Sequence, residues 1–158
     1  MELTAAFLNL VQQQLKSFDG ESAIKILVVY VAQSKNDQAP TLEVVGQWPI
    51  SDNSLLPIEA DSELRAPSPY RRWYPLQNEK MLLGALRVEC FHSEAAWPDL
   101  LDMRLRACAS ALAQCLGLEL DRKRLSDELI RQREQVSLMV HQLRNPLAAL
   151  RTYAQLLL

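Results

Sequence analysis

Residues 23–32 read Ala-Ile-Lys-Ile-Leu-Val-Val-Tyr-Val-Ala. The run is rich in β-branched residues and apolar almost without interruption. That predicts a central strand covered on both faces, since a strand wetted on one side alternates with polar residues. A polar turn from Gln33 to Pro40 leads to a second strand-like run, Thr41 to Trp48. Further on, Tyr70–Leu76 and Met81–Glu89 flank the polar turn Gln77-Asn78-Glu79-Lys80, which is a hairpin pattern. Gly84 inside the second of these runs predicts a bulge or a close backbone approach.

Working outward, Leu3, Phe7, Leu10, Val11 and Phe18 recur at helical spacing, and Asp19-Gly20 supplies a stop. Between the two strand pairs, Pro49, Pro57, Pro67 and Pro69 mark a loop with a short helical turn around Ile58 to Leu64. After Trp97-Pro98-Asp99 the pattern becomes helical and stays so. The expected fold is α+β: an antiparallel sheet with flanking helices, followed by a long C-terminal coiled-coil helix.

The chain has 158 residues, enough for one domain and an extension. Its net charge of −2 gives no ground for a nucleic acid or anionic membrane partner. The apolar runs are strand-length, far short of the roughly 20 residues that span a bilayer. Met1-Glu2-Leu3-Thr4 lacks the basic-then-apolar pattern of a secretory signal, so a cytoplasmic protein is expected. Cys90, Cys108 and Cys115 are odd in number and form no CxxC, which argues against a disulfide framework or a zinc ribbon.

The long helix carries the sharpest periodicity. Leu129, Val136, Leu143, Leu150 and Leu157 are spaced by seven, and Leu118, Leu125 and Met139 form a companion row interrupted by Gln132. This a/d seam predicts a parallel homodimer. With Val136 and Leu143 at a, His141 falls at f, farthest from the seam. A neutral imidazole nitrogen is nucleophilic, so an exposed helical histidine there can accept a phosphoryl group.

Two resemblances follow. The stretch Tyr74 to Glu89, with its glycine in the second strand and the long exit helix, resembles the closing hairpin of a GAF domain; PAS domains share much of this topology and stay open. The string His141-Gln142-Leu143-Arg144-Asn145-Pro146-Leu147, continuing to Tyr153, resembles the H-box of sensor histidine kinases. The variant with Leu150-Arg151-Thr152 downstream is similar to cyanobacterial kinases related to the chloroplast sensor kinase.

The resemblance implies a GAF-like sensor domain over residues 1–118, a signalling coiled-coil linker over 119–135, and the start of the dimerisation and phosphotransfer helix over 136–158. It makes His141 the phospho-acceptor and gives Asn145 a part in dephosphorylating a response regulator. Many H-boxes carry a carboxylate at the position of Gln142, where glutamine can accept a hydrogen bond but take no proton. Only four glycines occur, and none forms a phosphate-cradling loop. Mg-ATP would therefore be used by an ATP-binding domain beyond this stretch, and the fragment alone should be inactive. The expected function is to relay a cytosolic signal to His141 and on to a receiver domain. The alternative is a dimeric GAF and coiled-coil interaction module without phosphorelay.

Extending the heptads backwards puts Cys108 and Cys115 on the a row, where each would approach its twin. That arrangement could hold a disulfide or an iron–sulfur cluster, and the kinase group just named is regarded as redox-responsive; the bland reading is two small buried hydrophobes. Arg71-Arg72-Trp73 reads as a partly exposed strand edge with snorkelling arginines rather than an anion site.

Overall fold

A computed structural model of the chain describes residues 2–34, 38–93 and 97–157, without the side chains of Asn145 and Leu147. The elements in order are helix α1 (Ala5–Lys16), strands β1 (Ile24–Gln33) and β2 (Thr41–Trp48), two 3-10 turns (Ile58–Ala60 and Ser62–Arg65), strands β3 (Arg71–Asn78) and β4 (Met81–Cys90), and helix α2 (Asp99–Leu156). The fold is α+β, as the sequence predicts. Residues 1–119 form one compact unit and 120–158 a second.

The first unit is built on an antiparallel sheet in the order β2-β1-β4-β3. The apolar run at residues 23–32 becomes the inner strand β1, with Leu27 to Val31 all buried. Gly84 answers to a close approach: a Cβ there would strike the Tyr30 carbonyl oxygen on β1. The edge strand β3 carries Pro75, opposite Ala85 of β4. On the other edge, the Leu42 N–H of β2 donates to the Glu59 carboxylate at 3.1 Å.

Registers separate the two faces. Leu27 pairs with Val88, which pairs with Arg72; Val29 pairs with Leu86, which pairs with Tyr74. This face meets the helices, for Arg72 and Tyr74 both bond Asp102 in the first turn of α2. The opposite face carries Val28, Arg87 and Trp73 in one cross-strand row, with Tyr30 and Ala85 in the next.

Helix α1 begins at Thr4, whose hydroxyl accepts from the Phe7 N–H at 3.2 Å, one of the orphan donors of a first turn. It buries Phe7, Val11 and Leu15, four residues apart, and lies against β2. The first part of α2 buries Leu101, Leu105, Cys108, Leu112 and Leu116. Leu112 has no exposed surface, so Leu112→Ala removes a fully packed side chain and leaves a cavity. It is expected to cost about 3 kcal/mol in urea unfolding. A loss below about 0.5 kcal/mol would place this stripe outside the core.

Candidate functional site

The second unit is entirely helical up to Leu156. His141, Gln142, Leu143 and Arg144 are all exposed, and Pro146 lies inside the helix. Proline has no N–H, so the bond that residue 146 would give to the Gln142 carbonyl is missing. The helix therefore has a weakened turn immediately after His141. At 100° per residue, His141 stands roughly 160° around the helix from Leu143. On that spacing residue 141 and the leucine row occupy opposite sides of the helix. Asn145 lies one turn further on in the helix; its side chain is outside what is described.

The seam residues Leu125, Leu129, Val136, Met139, Leu143, Leu150 and Leu157 are all exposed in the single chain. Charges flank them in short ion pairs, Arg131 to Glu128 at 2.6 Å and Arg124 to Asp121 at 3.2 Å. Such exposed pairs add little to stability and keep the outer surface wet.

Cys108 is buried in the sheet unit, and Cys115 is half-buried. A seven-residue row drifts about 20° per heptad around an undistorted helix. Counting back three heptads from Leu129 rotates the row by roughly 60°, so Cys108 does not lie on the same line along an undistorted helix as Leu129. Burial pushes the Cys108 thiol up to about 11, so it stays protonated at neutral pH. Cys90, at the end of β4, is likewise buried and raised to about 11, with Arg72 pulling weakly the other way. Among the described residues, no group of three or more His, Cys, Asp or Glu side chains gathers as a metal site.

Asp102 in the first turn of α2 binds two side chains of β3. Asp102 Oδ1 accepts from the Tyr74 hydroxyl at 2.6 Å and from Arg72 Nη1 at 2.7 Å, while Oδ2 accepts from Arg106 Nε at 2.8 Å. Arg106 first, then Tyr74 and Arg72, hold the Asp102 carboxyl down to about 2. Burial first, then the bond to Asp102, pushes the Tyr74 phenol up to about 12. The Arg72 guanidinium also lies 4.8 Å over the Trp97 ring.

A depressed carboxyl stabilises the fold above its ordinary pKa and loses that contribution as pH falls through the folded value. For Asp102 the window runs from about pH 4 down to about 2. Discounting for its partial exposure, the contribution is about 1 kcal/mol. Asp102→Asn is expected to unfold more easily than wild type at pH 6, with the gap closing near pH 2.5. A gap that does not change with pH would remove the ionic account.

The far face of the sheet holds two groups that the sequence reading did not single out. Tyr30 is fully buried and Arg87 is 5% exposed, and neither Tyr30 Oη nor Arg87 Nε has a hydrogen-bond partner. Burial raises the Tyr30 phenol, with Arg87 acting against it. Arg71 and Arg72 are both engaged: Arg71 Nε donates to Glu89 at 2.8 Å and Arg72 to Asp102. The one signal available for Arg87 was a charge inside an otherwise apolar strand, Leu82 to Val88.

Among the described residues, no helix is long and apolar enough to cross a membrane. Comparison of the chain with protein-family models, with curated proteins and with solved structures finds no match in any of the three.

Proposed function

We propose that the chain is the sensory and phospho-acceptor portion of a two-component sensor histidine kinase. The observation that carries the reading is the string His141 to Leu147, on a helix whose histidine is exposed and stands opposite a leucine row. In this reading the neutral His141 imidazole attacks the γ-phosphorus of Mg-ATP held by a separate ATP-binding domain, and ADP leaves. The phosphoryl group then passes to an aspartate carboxylate on a response regulator, restoring the imidazole. Gln142 can orient the ring by a hydrogen bond but cannot take its proton, so that proton goes to another base. Asn145 would help position the water that dephosphorylates the regulator.

The seam from Leu125 to Leu157 supports a parallel homodimer, because a leucine row is stable in water only when covered. Helix α2 belongs to both units, so a change in the sheet unit has a covalent path to His141. The protein is placed in the cytoplasm on this reading. An iron–sulfur cluster at Cys108 and Cys115 gains no support from a buried, protonated Cys108. The test is phosphate transfer from labelled ATP in the presence of a histidine kinase ATP-binding domain supplied separately. Acid-labile, alkali-stable label on this chain supports the reading. Its absence from a folded dimer leaves the interaction module as the better description.

A further inference from the structure

Gly117 is the one glycine among the 58 residues of α2. It is also the last buried residue of that helix among the described residues, two positions before the sheet unit ends at residue 119. Leu118, the next residue, is 69% exposed. In a helix interior glycine is less favourable than alanine by about fivefold in equilibrium constant, because it gains the most freedom when the helix opens. Helix α2 therefore has a soft link at the place where its burial ends.

The surroundings account for the missing side chain. A Cβ on Gly117 would run into the Asn78 side-chain amide. Asn78 is the last residue of β3 and pairs with Met81 of β4. Only Glu79 and Lys80 lie between them, and Glu79 has a φ of 52°, in the left-handed region. The pairing fixes where the Asn78 backbone stands, and its half-buried side chain covers helix backbone that a Cβ would otherwise cover. The hairpin turn and α2 thus touch, within the sheet unit, at the soft link itself.

We propose that Asn78 seated on Gly117 is a switchable support for α2. With the hairpin turn in place, the amide keeps water from the bare Gly117 backbone, and the helix runs unbroken past residue 119. With the turn withdrawn, water reaches that backbone and the helix opens there. The amide is the far end of a side chain on a hairpin, so it can leave without disturbing the buried stripe from Leu101 to Leu116. A shift of β3 or β4 is thereby converted into a loss of helical order where the exposed stretch begins. That this stretch leads to a phospho-acceptor rests on the kinase reading; the support itself needs neither His141 nor a partner chain.

The test is amide hydrogen exchange of the whole chain at one fixed concentration. It is read at residues 117–121, whose helical N–H groups bond carbonyls across the Gly117 turn. Asn78→Ala should speed exchange there by about threefold to tenfold and leave the amides of Leu105 to Leu112 as in wild type. In that variant, adding Gly117→Ala should slow exchange by about fivefold, the ordinary gain of alanine over glycine. In the wild-type background the same Gly117→Ala should change it by less than about twofold, because the methyl displaces Asn78 and forfeits its support. Unchanged exchange in Asn78→Ala overturns the proposal. So do an equal acceleration at Leu105 to Leu112, and a Gly117→Ala effect that is the same in both backgrounds. If Gly117→Ala does not fold, Asn78→Ala decides alone. Neither ATP nor phosphoryl label enters the measurement, so its outcome and that of the kinase reading are separate.

Discussion

His141→Gln is expected to bring acid-labile, alkali-stable label down to background in a mixture of the chain, Mg-ATP and a histidine kinase ATP-binding domain. A phosphoramidate needs a ring nitrogen, and glutamine has a similar reach without one. The chain holds just two histidines, which makes the result easy to assign. His92 lies in the sheet unit beyond the end of β4, where its carbonyl accepts from the Trp97 indole at 3.3 Å. Label that persists on His141→Gln would therefore sit on His92 or on another residue type, and either outcome removes His141 as the acceptor. Circular dichroism of the variant should match wild type, because His141 is exposed and packs on nothing in the single chain.

The second large effect is on association. Leu129 is 49% exposed and Leu143 59% exposed in the single chain, and both lie on the seven-residue row. In the proposed dimer, replacing the two together, Leu129→Lys with Leu143→Lys, withdraws four leucine side chains from the seam and brings like charges together. At about 1.5 kcal/mol for each leucine, the loss is on the order of 6 kcal/mol, or about four decades in dissociation constant. Sedimentation equilibrium should show the mass fall from two chains to one. The sheet unit should keep its melting temperature, since Leu105 and Leu112 are untouched and already buried within the chain. A mass unaltered by the two lysines would mean that the row is not the interface.

The hydrophobic patterning made the sheet legible. An unbroken apolar run at Ile26 to Val31 can only be covered on both sides, and the inner position of β1 follows from that. The hairpin was legible for the same reason, with polar residues confined to its turn. What periodicity could not supply is contact between residues far apart in sequence. Tyr30 and Arg87 become neighbours only through the pairing of β1 with β4, and Asp102 meets Arg72 and Tyr74 only once α2 docks on β3. The cysteines show a different limit. A row counted strictly by sevens is straight on paper but winds around a helix of 3.6 residues per turn. Extrapolated from Leu129 to Cys108, it leaves the exposed side and enters the core. Near His141, where the count starts from Leu143 and spans two residues, the same arithmetic has no room to drift.

Both margins of the sheet are stopped. Pro75 has no N–H to offer along β3, and on β2 the Leu42 N–H is already taken by the Glu59 carboxylate. A strand arriving from another molecule would lack a donor on one side and would have to displace an acid on the other. Growth by strand addition, the usual beginning of fibrils, is thereby opposed at high protein concentration.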